Sequence, residues 1–401
     1  MNPITFRLSL AQASSGMISA IFLPFYGAWL AWRGFPTDQI AWIMSAGYLL
    51  RAVLSPFCGI IADARNDRRE MMLVLYCLMF AGYASMGIFT NTTLIGWAAV
   101  VATTSIGAIT PLLESVCVRL ASAYGYQYGR VRLWASTSFV VMSVIGGICF
   151  SLFGTGIVAP MLALFAACSI VTTLMLPPPG EAHARAKLPA ALKQTLSEAF
   201  ELARSKIFLL FLVAASLVQG SHAFYYSYGG LHWRAQGYSG AMIGILYPLG
   251  VLAEICILMF AQKLVHWIGP VRLILLGGLA AVLRWTVMAF DPPLALVIAL
   301  QFLHGATFAL AHIGAMYFLL RTVPPRLAAT AQSLYFVCNA GIFVGLATLV
   351  SGRLYGSYGG LAYLPMSLMG LMAIALTLVL GRLWHGRHLI ADDGAEPVYT
   401  I

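Results

Sequence analysis

Charge is what this sequence has least of. Of 401 residues only 9% are Asp, Glu, Lys or Arg, against 61% hydrophobic. A water-soluble domain of this length keeps roughly a quarter of its residues charged, so the chain has too little polar surface to fold in water. Acidic residues are scarcest, 13 against 23 basic ones, for a formal net charge of +10. The positives are spread thinly rather than gathered on one face, which argues against nucleic acid as a partner. An excess of Lys and Arg in loops held on the cytoplasmic side of a membrane accounts for them. Reactive cysteine patterns are missing too. Cys58, Cys77, Cys117, Cys149, Cys168, Cys256 and Cys338 all fall inside apolar runs, without metal-ligand spacing and away from polar loops. They read as small buried hydrophobes. No glycine-rich phosphate loop is present, so nucleotide hydrolysis is excluded as an energy source and no cofactor is expected. The first apolar segment lacks a small-residue cleavage site and is followed by many others, so it reads as a membrane span rather than a removable signal.

A bilayer core about 30 Å thick takes about 20 apolar residues in helix. Runs that meet this length lie at 8–32, 38–62, 71–90, 94–121, 130–152 and 156–176, and again at 207–230, 239–262, 272–290, 294–321, 327–351 and 360–381. They are too long for barrel strands and lack alternation. The expected fold is all-α, with twelve transmembrane helices. Between the sixth and seventh runs the composition changes abruptly, opening with Pro177-Pro178-Pro179-Gly180 and carrying His183, Arg185, Lys187, Lys193, Glu198, Glu201, Arg204 and Lys206. This divides the chain into a first six-helix bundle (1–176), a cytoplasmic linker (177–206), a second six-helix bundle (207–385) and a cytoplasmic tail (386–401). Six helices plus six is the plan of a carrier built from two related bundles. Placing both termini inside puts all but five of the 23 Lys and Arg on the cytoplasmic side. The exceptions are Arg33, Arg234 and Arg353 on the opposite loops and Arg51 and Arg284 within spans. That bias predicts an N-in, C-in orientation.

Between the second and third runs the chain reads GIIADARNDRR, from Gly59 to Arg69. This resembles the signature loop of the major facilitator superfamily. The resemblance implies that Gly59 allows close helix approach and that Asp63 pairs with Arg68 or Arg69 to latch the cytoplasmic side. Asn66 replaces the usual second glycine and tolerates a left-handed turn, while Asp67 stands where a basic residue is common. Further stretches are YGRVRLW from Tyr128, QGSHAFYY from Gln219 and LGVLAE ending at Glu254, with Arg284-Trp285, Leu303-His304 and His312. Together they resemble the phenylpropionate permease branch, which is related to the lactose permease group of proton symporters. Against that group, Glu114 and Arg132 fall on its sugar-binding carboxylate and arginine. Glu254, Arg284 and His304 fall on its carboxylate, arginine and histidine of spans eight, nine and ten. The departures are Thr307 at its proton-binding carboxylate, Gln219 and His222 at its acids of span seven, and Phe139 at its sugar-stacking tryptophan. The resemblance therefore implies proton symport with incomplete sugar chemistry.

An ionisable side chain at bilayer depth costs several kcal/mol unless it faces protein or a wet cavity. Arg51, Glu114, Glu254 and Arg284 lie at that depth, with Arg132 near the inner edge and His222, His304 and His312 beside them. Three positive charges against two negative ones leave one spare, which favours an anion gripped by a guanidinium. Each residue also has a structural alternative: Glu254 pairs with Arg284 to hold neighbouring spans, and Arg51 partners a helix C-terminus or Glu114. His304 and His312 are eight apart, about two turns, and share a face. Aromatics cluster around the seventh run. Trp233 reads as an interfacial anchor, while Tyr225 and Tyr226 beside His222 are candidates to line an aromatic pocket. The coupling candidates are Glu254, Arg284, Glu114, His304 and His312. The substrate candidates are Arg51, Arg132, Glu114, Gln219, His222, Tyr225, Tyr226 and Asn339.

With the resemblance, these features lead to an expected proton-coupled symporter of a small organic acid, an aromatic monocarboxylate such as 3-phenylpropionate, working by alternating access. A sugar or nucleoside symporter is the alternative. No nucleophile–base set or metal cluster accompanies Ser221 and His222, so enzymatic chemistry is not expected. The expected partners are a small-molecule substrate, protons and the lipid bilayer, for a monomer crossing a bacterial inner membrane many times.

Overall fold

Backbone in hydrocarbon has no water to bond, so an apolar run must close its N–H and C=O groups within itself. The computed structural model, which describes residues 3–65, 67–177, 188–386 and 389, is accordingly helical, with no strand among the described residues. The first half holds α1 (Pro3–Trp32), α2 (Thr37–Arg65), α3 (Arg68–Ile88), α4 (Thr92–Tyr124), α5 (Tyr128–Phe153) and α6 (Val158–Leu174). A shorter helix, α7 (Leu188–Ala203), stands between the halves. The seventh crossing is split into α8 (Lys206–Gly220) and α9 (Ala223–Ala235). The eighth is α10 (Gly240–Leu258), followed by the short α11 (Ala261–Ile268), and the ninth is α12 (Pro270–Met288). The tenth joins α13 (Leu294–His304) to α14 (Ala311–Thr322) through a wide π-turn, Gly305–Leu310. The eleventh joins α15 (Ala328–Phe336) to α16 (Val344–Tyr358) through a second one, Val337–Phe343, and α17 (Leu364–Leu383) is the twelfth.

Eleven helical stretches are long and apolar enough to cross a membrane, and the last of them, Pro325–Leu383, runs for 59 residues. As one helix it would reach about 90 Å, three bilayers deep. It folds back at Gly359, where φ is 55° and α16 ends, so it supplies two crossings and brings the total to twelve. The other boundaries follow local chemistry. Asn91 caps α4, accepting from Thr93 N at 2.9 Å, Ser205 caps α8 and Ser239 caps α10. Of the cysteines only Cys117 is fully buried; Cys77 and Cys256 are exposed rather than buried as expected.

Within the first half α1 packs on α5 and α6, and α3 on α4 and α6; within the second, α17 packs on α8 and α12, and α10 on α13. The halves meet along three lines, α1 with α9, α2 with α16 and α5 with α10. Small residues make these approaches possible. A Cβ on Gly230 would sit 1.7 Å from Pro24 O, one on Gly147 2.5 Å from Gly240 O, and one on Gly352 2.2 Å from Ala41 Cβ. Hydrogen bonds follow the same lines: Tyr228 to Thr37 O at 2.7 Å, Ser45 to Gly345 O at 2.8 Å and Ala241 N to Ser151 Oγ at 2.9 Å. All of these lie in the half of the molecule away from the chain termini. Nearest to the terminal end is the bond from Arg51 Nε to Ala340 O, 3.0 Å, midway along both spans. The halves are thus sealed at one end and parted at the end that carries the termini.

The loop between α2 and α3 lies at that parted end. Among the described residues no atom lies within 4 Å of where a Cβ on Gly59 would stand, so they make no close approach there. Asp67, a departure from the signature pattern, is the N-cap of α3 and accepts from Glu70 N at 2.8 Å. Arg69 donates to Thr173 O at 3.2 Å and Leu174 O at 2.6 Å, the last carbonyls of α6. The side chain of Asp63 lies outside the described residues, and with it the pairing to Arg68 or Arg69.

Removing the cap with Asp67→Ala is expected to lower stability by about 1 kcal/mol, read as a fall in the melting temperature of the purified protein. Gly230→Val places side-chain carbon where Pro24 O now stands and is expected to hold the sealed end open. In a background without the seven native cysteines, Ser45→Cys would then react with a thiol reagent in the Gly230→Val protein and stay protected in the parent. Equal protection in both would overturn the assignment of this seal.

Candidate functional site

The breaks in spans seven and ten lie side by side and bring polar groups into the second half's core. Arg284 of α12 is fully buried, as are His222, Gln301 and Thr307, with His304 6% exposed. Its guanidinium donates to His304 Nδ1 at 3.0 Å, Thr307 Oγ1 at 3.3 Å and Gln301 Oε1 at 3.0 Å. It also lies over the rings of Tyr225 and Trp285, 4.8 Å and 4.4 Å from their centroids, a favourable arrangement for a desolvated cation. Arg284 Nε is buried with no partner. All the acceptors are neutral.

Donor and acceptor rules fix the protons in this network. His222 Nδ1 faces the Gln219 carbonyl at 3.0 Å, and a carbonyl only accepts, so Nδ1 carries the proton. His222 Nε2 then accepts, and its partner at 2.9 Å is the hydroxyl of Thr307. The single Thr307 proton goes there in preference to His304 O at 3.3 Å. A directed chain results, from Arg284 through Thr307 and His222 to the Gln219 backbone. His304 Nδ1 takes a proton from Arg284 and is therefore the unprotonated nitrogen of its ring. Tyr225 donates to Gln301 Oε1 at 3.1 Å and stacks on Tyr247, and Trp285 Nε1 donates to Ser221 Oγ at 2.9 Å.

The expected pairing of Glu254 with Arg284 is not present. Among the described residues Glu254, on α10, makes no hydrogen bond or ion pair, and no carboxylate is bonded to Arg284. One turn before Glu254, Gly250 packs against His304, whose Cβ would be 3.0 Å from a Cβ on the glycine. His304 thus fills the space through which the pair would form. Glu254 is half-buried, within electrostatic reach of Arg132 and Tyr226. Tyr226 is central: it stacks on His222 at 5.4 Å and lies within reach of Arg51 and Arg284 as well.

A second polar cluster belongs to the first half. Glu114, three residues after Pro111 in α4, meets Arg132 Nε at 2.8 Å. Tyr128, one turn before Arg132 on α5, donates to the other carboxylate oxygen, and Gln12 of α1 donates to Glu114 and Cys117 at 3.4 Å each. Glu114 and Arg132 keep side-chain exposures of 26% and 44%, so this cluster remains open to solvent between the parted halves.

Arg51 does not reach Glu114. Its guanidinium lies 4.7 Å over Tyr48 and bonds the Ala340 carbonyl in the π-turn of span eleven, next to buried Asn339. Gln219 similarly donates to Phe308 O, 3.1 Å, in the π-turn of span ten. His304 and His312 share a face as expected, with Phe308 stacked between them at 5.4 Å and 6.1 Å. Trp233 is no interfacial anchor: it is 1% exposed and packs edge-on against Tyr225 and Tyr247, because α9 is buried against α1 and α16. Sequence reasoning passed over Gln12, Tyr128, Gln301 and Thr307 as site members. The available signal was an uncharged polar group within an apolar run, three residues from His304 or four from Arg132.

Residues 15–364, most of the chain, match the family model described as MFS_1 like family. The "Probable 3-phenylpropionic acid transporter" of Escherichia coli (strain K12) is 27% identical over 363 residues, covering 89% of this chain and 92% of the relative. The "Maltose permease" of Geobacillus stearothermophilus is 29% identical over 352 residues, covering 86% of each. Among solved structures, a point mutant of the nucleoside transporter NupG is similar with a TM-score of 0.81 at 16% identity, covering 94% of this chain and 99% of that one. A D-xylose-proton symporter gives 0.70 at 12% identity, covering 96% and 97%. These solved structures bear on the fold alone. All four proteins are membrane transporters rather than enzymes, and the solved ones share this fold. The chain belongs to the MFS_1-like family of the major facilitator superfamily and is a multi-pass membrane transporter.

Proposed function

We propose that this transporter is a proton-coupled symporter of a small organic acid, an aromatic monocarboxylate of the 3-phenylpropionate kind. It works by alternating access in a bacterial inner membrane, with both termini in the cytoplasm and no cofactor beyond the proton gradient. The observation that carries this reading is the buried guanidinium of Arg284, surrounded by three neutral acceptors and two aromatic faces and touching no carboxylate. A buried charge without a counter-charge is costly, and an arriving carboxylate supplies one while its ring joins Tyr225, Trp285 and Tyr247. With the termini inside, the parted end faces the cytoplasm. Arg132, half-exposed there, is a cation open to an anion entering from this side.

Proton coupling is assigned to Glu254. Glu114 is held by Arg132, Tyr128 and Gln12, whereas Glu254 makes no hydrogen bond or ion pair among the described residues and stands within reach of Tyr226 and Arg132. His304 accepts from Arg284 directly, and His222 accepts from the Thr307 hydroxyl, which itself accepts from Arg284. A second reading, a sugar or nucleoside symporter, is favoured by the Gln12–Glu114–Tyr128–Arg132 cluster, whose mixed donors and acceptors suit hydroxyl groups. The likeness to a maltose permease fits it too.

Uptake of 3-phenylpropionate into membrane vesicles with an imposed inward proton gradient decides between them. Accumulation that a protonophore collapses is expected. Accumulation of maltose or a nucleoside in place of the acid would favour the second reading, and uptake that follows sodium would remove the proton. Glu254→Gln is expected to exchange the acid across the membrane without accumulating it, because net symport requires proton release. Accumulation by Glu254→Gln at the parent rate would transfer the coupling role to Glu114.

A further inference from the structure

We propose that Gln301 is the residue that makes the site select anions, by holding Arg284 with a neutral acceptor so that the guanidinium charge stays uncompensated; the inference rests on the organic-acid reading above. Gln301 is fully buried on α13 and each of its polar atoms is used. Its Nε2 donates to Val297 O at 3.1 Å, while Oε1 accepts from Tyr225 Oη at 3.1 Å and from Arg284 Nη2 at 3.0 Å. Only one orientation of the amide satisfies all three partners, since a carbonyl cannot donate and a guanidinium cannot accept. The amide is thereby locked with its oxygen on the cation.

At a fully buried arginine the usual partner is a carboxylate, which cancels the charge and accepts bidentately. A glutamate at position 301 has the same shape as the glutamine and would do both. Its second oxygen would then face the Val297 carbonyl, acceptor against acceptor. The amide is the group that satisfies Val297 and Tyr225, fixes the guanidinium plane, and still leaves a full positive charge. His304 and Thr307 hold the other donors in the same neutral way, so nothing else cancels that charge. Gln301 does not need to touch the substrate. It acts through Arg284 and is a positioning residue whose chemistry sets the sign of what the site accepts.

The test compares the parent with Gln301→Glu and Gln301→Met, each purified whole. Binding of 3-phenylpropionate and of its neutral amide, 3-phenylpropionamide, is measured between about pH 5 and about pH 8. The charged and titratable groups around position 301 are Arg284 of α12, Tyr225 of α9 and His304 on its own span, with His222 against His304 and Glu254 of α10 beyond Gly250; all are common to the three proteins. The parent is expected to prefer the acid. Gln301→Glu is expected to lose about tenfold or more of that preference at the high end of the range and to regain it as the pH falls. A protonated carboxyl again donates to Val297 O and accepts neutrally from Arg284. Gln301→Met, neutral but unable to bond, is expected to bind more weakly while keeping the preference for acid over amide at every pH. A Gln301→Glu protein with the parent's acid-to-amide ratio throughout would overturn the role of Gln301 while leaving the acid reading in place. A parent that binds neither compound, or both alike, would overturn the acid reading and this inference with it.

Discussion

In hydrocarbon every backbone N–H and C=O must find a partner within the protein, and three of the crossings here do not satisfy that demand with α-helix alone. Span seven breaks after Gly220, and spans ten and eleven widen into π-turns. Side chains complete the bonding at each. His222 bonds Gln219 O, Gln219 bonds Phe308 O, and Arg51 bonds Ala340 O. These side chains are also the ones that a reading of intramembrane polar residues picks out as functional. The candidate site is therefore not laid over a finished fold. It is the means by which irregular backbone is tolerated at this depth, and two of the three bonds tie one span to another.

The same groups set the electrostatics. Arg51 and Arg284 are bonded and stacked by carbonyls, neutral nitrogens, hydroxyls and π-faces that leave their charge in place, and of the three intramembrane arginines Arg132 is the one that meets a carboxylate. A proton added to His304 Nδ1 or His222 Nε2 would remove the acceptor that Arg284 or Thr307 now uses. Protonation and the orientation of Arg284 are thus linked through the shape of the network, with no direct contact to Glu254 required. This departs from a plan in which an acid and an arginine on neighbouring spans neutralise each other.

Much of the architecture was legible in the residues because the bilayer imposes a length and a polarity that few sequences satisfy by accident. Twelve runs and a polar interruption sufficed for the crossings. The breaks were not legible: Gly305–Leu310 and Val337–Phe343 are as apolar as their surroundings, and a π-turn has no compositional mark. The expected Glu254–Arg284 pair followed from opposite charges on adjacent spans, but charge says nothing about whether His304 stands between them. Gln301, Gln12 and Tyr128 were missed because the cost of burial singles out ionisable groups, and an amide or phenol satisfies its bonds without appearing expensive. Trp233 lies near a span end in sequence, yet a helix packed on all sides has no lipid-facing rim. Asp67 was a mismatch to the signature loop, and its use is local, as the cap of α3.

The distribution of contacts between the halves has its own logic. Away from the termini they touch through glycine, alanine and backbone carbonyls, with a few neutral hydrogen bonds and no ion pair among the described residues. Such a surface separates without stranding a buried charge. A charged hydrogen bond between the halves, Arg51 to Ala340, lies midway along its spans, and Gly107 makes room for it: a Cβ there would stand 2.0 Å from Arg51 Cδ. When two rigid bundles rock about a central axis, atoms at the ends move most and atoms at the middle least. A guanidinium bond to a carbonyl, directional and costly to break when desolvated, survives such a motion only near the axis. The weak, reversible contacts therefore belong at the end and the strong one at the centre, and that is how this chain distributes them.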